Sequence, residues 1–368
     1  MLDTSKIKTP AYVLDVARLK ANVEKAAYIK QKSGVKIILA LKSWSMFSAF
    51  EYLKDVLDGT TASGLYEAKL GHEEFGKEVH AYSPAYDDAE IEELAKVADH
   101  IYFNSPSQYQ RYASKLKNAK IGMRINPQLS QVKTDLYNPC APCSRFGVID
   151  VNTLPEKLDA LHFHALCESS AEESANFINH ISKNYAAQIA KVKEVNFGGG
   201  HYFTFAGYET EKLIKALNDF QQKHGVQAII EPGGALVYDT GYLVSTVLDF
   251  VFNEKQIAIL DTSATCHMPD VLEMPYRPNV VGDAEGNPHK YLFTGKTCLT
   301  GDVISDYAFK EKLNVGDKVV FKDMMQYAMV KNTTFNGIPL PDIGILDEKG
   351  NYKVVKSFGY EDFKGRQS

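Results

Sequence analysis

What most constrains this chain is a repeated alternation of short apolar runs with amphipathic stretches over its first two-thirds. "VKIILAL" has the character of a buried strand, and "SMFSAFEYLKDVLD" behind it spaces its apolar residues as a helix does. "GTTASG" reads as a turn beside a strand end, followed by a helix over "LYEAKLGHEEFG" that Gly76 closes. "EVHAYSP" is a strand, and "DDAEIEELAKVA" a helix whose acidic start suits its dipole. "HIYFN" precedes "SPSQYQRYASKLK", a helix with Ser105 as N-cap and Pro106 in the first position. "KIGMRINP", "ALHFHALC", "EVNFGGG" and "VQAIIEPGG" add four more strands. Strands joined by helical crossovers run parallel, so the fold class is α/β. Roughly eight such units predict a TIM (β/α)8 barrel, with a doubly wound open sheet as the alternative.

In such a barrel the C-terminal strand ends face the active site. Here those ends carry Lys42, Arg124, His164, Gly198 to Gly200 and Glu231. Packing does not explain polar groups and glycines gathered at one mouth. After about residue 245 the texture changes to short strands between loops, as in "QIAILDTS", "YLFTGKTC" and "DKVVFKD". The expectation is a barrel over residues 16–245 and a mostly β domain built from residues 1–15 and 246–368.

Composition narrows the function classes. The chain has 368 residues, 45% hydrophobic and 24% charged, ordinary for a globular protein with a large core. Its net charge is -5 and its basic residues are dispersed, so no nucleic-acid or anionic-membrane footprint is expected. No run approaches the roughly 18 apolar residues of a membrane span. "MLDTSKIKTPAYVLD" lacks the apolar stretch of a secretory signal, which points to a cytoplasmic setting. Five cysteines, an odd number, point to free thiols.

Each candidate has a plain reading beside the chemical one. A lysine at a strand tip ordinarily snorkels to water, whereas a Schiff-base lysine needs an amine activated by its surroundings. The glycines of "NFGGGHYFT" make either a flexible turn or a close backbone approach to an anion. Glu231 in "IIEPGGALV" is either solvated or set beside a pyridinium nitrogen, where it would make pyridoxal phosphate an effective electron sink. His162 and His164 alternate on one strand and point the same way, as a barrel-facing pair or as metal ligands. "CAPC", with Cys140 and Cys143, lacks the second pair a structural zinc would want, so no metal is expected.

Taken in order, "LALKSW", "TASGLYEA", "GMRIN", "PCSRFG", "FHALCES", "NFGGG", "EPGGALV", "CHMPDVLEMPYRP", "GKTCLTGD" and "DMMQYAMVKNTTFNG" resemble the fold-type III pyridoxal-phosphate decarboxylases. These share the alanine racemase-like fold, a barrel plus a β domain. The likeness runs from about Thr9 almost to the C-terminus and is strongest to the group acting on carboxynorspermidine and carboxyspermidine in bacterial polyamine synthesis.

The resemblance implies that Lys42 holds pyridoxal 5'-phosphate covalently, that Gly198, Gly199 and Gly200 hold its phosphate, and that Gly233 also binds the cofactor. It implies Glu231 at the pyridine nitrogen, His164 on the ring face, Arg124 beneath the cofactor and Tyr327 on the phosphate. It also implies a homodimer with shared active sites, in which Cys298 and Asp302 of the β domain serve the other subunit. Cys298 would return the proton. Asp302, or secondarily Glu273, would take the far amine of a carboxylated polyamine, with tyrosines walling the polyamine by cation–π contact. Ser43 and Trp44 follow the lysine where many relatives have small residues, and Trp44 is a candidate for the wall beside the cofactor. Thr60 stands where relatives carry an aspartate, and Gly234 where ornithine-type enzymes place an arginine. The alternatives are a decarboxylase of diaminopimelate or ornithine type, or a racemase, which would want a second acid/base in place of "GKTCLTGD".

Overall fold

The computed structural model describes residues 2–132 and 134–368. The chain divides into two compact units, Asn22–Leu236 and a second formed by the two flanking segments. The first strand, β1 (Ala11–Asp15), belongs to the flanking unit.

In the central unit, β2 (Lys36–Ala40), β3 (Gly59–Ala62), β4 (Glu78–Tyr82), β5 (His100–Phe103), β6 (Lys120–Ile125), β7 (Ala160–Phe163), β8 (Glu194–Asn196) and β9 (Gln227–Ile230) close into a parallel barrel. The ring closes where β2 pairs with β9, Lys36 opposite Ile229. Both strand faces are covered, one by the barrel interior and one by helices, which is why "KIILA" reads as a continuous apolar run. The helices start where the sequence supplies caps. Asp87 and Glu90 form a capping box, Ser105 caps a helix with proline in its first turn, and Ser170 pairs with Glu173 in a second box.

Two local expectations are corrected. "GTTA" is a strand rather than a turn, its four residues all buried. A Cβ on Gly59 would stand 2.0 Å from the Glu78 carbonyl oxygen, so the glycine serves a close backbone approach between β3 and β4. "SMFSAFEYLKDVLD" forms a 3-10 helix over Phe47–Tyr52 and then turns, not a regular α-helix. Its apolar face is buried as expected, through Ala49, Phe50, Leu53 and Leu57. Its hydrogen bonds alternate between three- and four-residue closures, Leu53 and Lys54 both donating to the Phe50 carbonyl.

The flanking unit is a sheet of β10 (Gly241–Asn253), β11 (Lys255–Leu260), β12 (His289–Thr294), β13 (Val303–Phe309), β14 (Lys318–Lys322), β15 (Asp342–Leu346) and β16 (Tyr352–Lys356) together with β1. Its order is β13-β12-β11-β10-β1-β15-β16, and β14 pairs with β10. The 13-residue β10 serves β1 and β14 with its first half and β11 with its second, the register shifting between Val247 and Asp249. β1 lies antiparallel to β10 and parallel to β15. Among the described residues no helix is long and apolar enough to cross a membrane.

Candidate functional site

Side chains on a barrel strand alternate between the interior and the surrounding helices. The interior positions of alternate strands form columns. β2 contributes Lys36, Ile38, Ala40 and then Lys42; β4 contributes Glu78, His80 and Tyr82; β6 contributes Lys120, Gly122 and Arg124; β8 contributes Glu194, Asn196 and then Gly198. At the N-terminal ends the columns neutralise one another. Lys36 Nζ lies 2.8 Å from Glu78 and 3.5 Å from Glu194, and Lys120 Nζ lies 2.8 Å from Glu194. His100 Nε2 lies 2.7 Å from Glu194, and its ring stacks on His80 at 3.8 Å. Burial pushes the His80 pKa down to about 4, so its ring is neutral among two lysines and two glutamates. The donor atoms of Glu78, His80 and His100 lie within 4.8 Å of one another, but Lys36 Nζ already occupies both oxygens of Glu78, at 2.8 and 3.0 Å. This cluster is a floor.

At the C-terminal ends the columns open into a cavity of about 330 Å³ lined by Lys42, Tyr82, Arg124, His162, His164 and Glu231 among others. Lys42 is exposed to the open cavity, with the barrel mouth packed around it. This desolvation lowers its pKa below that of an ordinary lysine; Glu231 opposes the shift and Arg124 adds to it. Among the described residues none forms a hydrogen bond or ion pair with its amine. Arg124 is 5% exposed, with its guanidinium 4.6 Å from the ring centroids of both Tyr82 and Phe146. It donates to the His164 carbonyl at 3.1 Å. Two such faces, worth about 0.5–2 kcal/mol each, hold the charge in one orientation.

Glu231 follows β9 and is 5% exposed. Its Oε2 lies 3.5 Å from His162 Nε2 and 3.8 Å from His164 Nδ1. Burial works against its ionisation, yet its polar neighbours, His162 foremost, outweigh it and hold the carboxyl well below the usual range. His164 is pushed down to about 3 by burial and then by the Lys42 charge. Its Nδ1 accepts the Gly199 N–H at 3.2 Å, so the ring is neutral and turns an acceptor toward the glycine turn.

The turn is tight by necessity. Gly198 and Gly200 have φ of +69° and +93°, and a Cβ on them would meet His164 Nδ1 at 2.5 Å and the Leu166 backbone at 2.4 Å. A Cβ on Gly233 would come within 2.0 Å of Ser43 Oγ, so Gly233 packs against the residue after Lys42. An unpaired, desolvated amine, an ionised carboxylate in the same cavity and an adjoining turn that only glycine can form fit a cofactor bearing an aldehyde, a pyridine nitrogen and a phosphate.

The remaining candidates belong to the sheet unit. Cys298 presents an exposed thiol on a loop fixed by its own N–H, which donates to Asn336 Oδ1 at 2.7 Å. Asp302 is 3% exposed, and its carboxylate accepts from Ser263 Oγ, from the N–H groups of Ala264, Thr265 and Thr297, and from Thr297 Oγ1. A Cβ on Gly295 would stand 2.2 Å from Asp302 Oδ2, so the loop has closed round this carboxylate. Asp302 therefore braces the Cys298 loop. Glu273 is half exposed and shares Lys331 with Asp270. Tyr327 sits at φ +47°, rare for an aromatic residue, in a turn where Val330 and Lys331 donate to its carbonyl.

Lys42, Arg124, His164 and Glu231 thus share one cavity, and the glycine turn adjoins them through His164. Trp44 does not take the expected place on the wall. It is fully buried, edge-on to Phe50 at 6.1 Å, and lies outside the cavity lining. Sequence reasoning missed Tyr82, Phe146 and Asn196. Tyr82 and Asn196 were open to the same period-two count that found Arg124; Phe146 comes from a loop and gave no such signal.

Comparison with known proteins extends this picture. The family described as "Pyridoxal-dependent decarboxylase, C-terminal sheet domain" matches residues 11–325. The chain is 43% identical to a carboxynorspermidine/carboxyspermidine decarboxylase of Campylobacter jejuni, over 98% of this chain and 99% of the relative. It is 42% identical to a carboxyaminopropylagmatine decarboxylase of Synechocystis, over 98% and 96%. Among solved structures, the carboxynorspermidine decarboxylase of Campylobacter jejuni in complex with norspermidine superposes with a TM-score of 0.90 at 42% identity, covering 98% of this chain and 100% of that one.

Proposed function

Since this chain belongs to the pyridoxal-dependent decarboxylase family, we propose that it is the carboxy-lyase that converts carboxynorspermidine or carboxyspermidine to norspermidine or spermidine, a step of polyamine biosynthesis. The observation that carries this reading is the Lys42 amine, desolvated and unpaired, in the same cavity as the Glu231 carboxylate. Pyridoxal phosphate, when bound, supplies an aldehyde that takes up amines and a pyridinium ring that accepts the electron pair left by carbon dioxide.

The protein's share of the work follows from its geometry. Lys42 would hold the cofactor's aldehyde. Glu231 would keep a proton on the ring nitrogen. His164 and Arg124 would position the ring, and the glycine turn would hold the phosphate. The bond from the α-carbon to the carboxylate breaks, its electron pair stays on that carbon, and one proton takes the vacated place. Amine and carbon dioxide leave, and one proton is consumed. We assign the proton to Cys298 of the partner subunit in a homodimer with shared active sites. The exposed thiol and the braced loop that carries it support this assignment. Among the acidic candidates for the distal ammonium, Glu273 is favoured, because Lys331 can keep Asp270 while Glu273 turns away. The dispersed charge of the chain supports a cytoplasmic enzyme.

Carboxyspermidine and carboxynorspermidine differ by one methylene, worth only about 1–3 kcal/mol in a pocket, so both are expected to react. A substrate ending in a guanidinium is the nearest competitor, since a Synechocystis relative is a carboxyaminopropylagmatine decarboxylase. The test is to supply purified protein and pyridoxal phosphate with each substrate in turn and quantify the amine formed. Preference for the guanidinium substrate, or turnover confined to diaminopimelate or ornithine, would overturn the reading.

A sharper expectation concerns Cys298→Ala. Carbon dioxide should still be released, but the yield of correct amine per carbon dioxide should fall, because the proton returns without a positioned donor. A variant giving full amine yield at the wild-type rate would remove Cys298 from that role.

A further inference from the structure

We infer that Asn196 is a positioning residue that sets the ring-nitrogen contact and the phosphate turn of the cofactor site with one side-chain amide. The inference rests on the cofactor reading above and goes beyond it. Asn196 is the last residue of β8, fully buried on an interior column between Glu194 and Gly198. Its Oδ1 accepts the Gly198 N–H at 2.8 Å, and its Nδ2 donates to Glu231 Oε1 at 2.7 Å. The other Nδ2 hydrogen points to the Tyr102 hydroxyl at 3.5 Å. An N–H can only donate, so the Gly198 amide fixes which end of the Asn196 amide is oxygen. The end facing Glu231 is therefore NH2.

Among the described residues this is the one hydrogen bond that meets Glu231's carboxylate at normal length. The two histidines lie farther off, at 3.5 and 3.8 Å, and His164 Nδ1 is already an acceptor for Gly199. An amide donor favours the ionised carboxylate without competing for its proton. The same amide ties the carboxylate to the first glycine of the turn, so any shift of the turn is felt at Glu231. An aspartate would still fit the space and could still accept from Gly198. Its second oxygen would face Glu231, and two carboxyls in contact must share a proton.

The experiment uses full-length protein, stripped of cofactor and titrated with pyridoxal phosphate in the absence of substrate, for the wild type, Asn196→Leu and Asn196→Asp. Cofactor affinity is read from absorbance, and the pH midpoint of the bound cofactor's spectrum is recorded with it. Asn196→Leu is expected to bind about tenfold or more weakly, having lost two hydrogen bonds, one of them to a charged group. Asn196→Asp should keep affinity closer to wild type, with its spectral midpoint displaced by about one pH unit or more. A merely structural role would lower thermal stability and leave that midpoint in place. Should Asn196→Leu fail to fold, the isosteric Asp variant decides alone. Wild-type affinity and midpoint in the folded variants would overturn the inference. A wild type that takes up no pyridoxal phosphate would instead overturn the cofactor reading on which it rests.

Discussion

Lys42→Ala is expected to lower the decarboxylation rate by roughly four orders of magnitude, the scale on which removal of a covalent nucleophile acts. The reason is local. In the cavity Lys42 is the amine that desolvation has brought down from its ordinary pKa of 10.5, and among the described residues it has no carboxylate bound to it. Borohydride treatment of the wild type should bleach its yellow colour and fix the cofactor to the single peptide containing Lys42. The variant should bind the cofactor reversibly and release it on dialysis. A rate within tenfold of wild type, or cofactor fixed to another peptide, would refute the assignment. A second signature appears in the apoprotein. Between the depressed folded pKa and 10.5 the unfolded chain holds a proton that the folded chain lacks, so unfolding free energy rises with pH through that window. Below it the folded state carries a desolvated charge. Lys42→Met apoprotein should therefore be more stable than wild type at neutral pH, and the gap should close as pH rises toward the lysine's ordinary value.

Glu231→Gln should lower kcat by about 10²–10³-fold, comparable to loss of a preorganised electrostatic contact at a reacting centre, while KM changes little. The glutamine keeps the shape and can still meet Asn196, but it carries no charge to hold the ring-nitrogen proton. The electron pair left by carbon dioxide then has a poorer place to go. Because Glu231 is held well below the usual carboxylate range, the wild-type acid limb should not track its protonation. Glu231→Asp keeps the charge at a shorter reach and should recover part of the loss. A Gln variant with kcat within threefold of wild type would show that the ring nitrogen is not controlled from this residue.

The barrel was legible because both of its signals are periodic. Strand–helix alternation marks the ring, and polar groups at the strand tips mark Lys42, Arg124, His164 and Glu231. What escaped was the opposite end of the same columns. Lys36, Glu78, Lys120 and Glu194 obey the same spacing, yet a charge at the start of a strand looks like ordinary solvent exposure until the ring closes and brings the four together. Asn196 escaped for a related reason: its meaning lies in two partners, Glu231 and Gly198, that no local pattern connects to an amide. Asp302 was legible only in part. Its motif marked it as important, but sequence does not show that Thr297, Ser263 and their neighbouring amides encircle its carboxylate.

The placement of β1 bears on how the chain comes into being. On a ribosome this strand emerges ahead of everything it pairs with, since its partners Val244 on β10 and Asp342 on β15 are made only after the whole barrel. Domains generally fold as units during synthesis, from the N-terminus onward. Here the barrel can close while β1 hangs at its start as an unclaimed sheet edge, apolar and open to other chains. The sheet becomes complete only when the last strands arrive, which makes nascent-chain handling, more than equilibrium stability, the stage at which this enzyme is most exposed to aggregation.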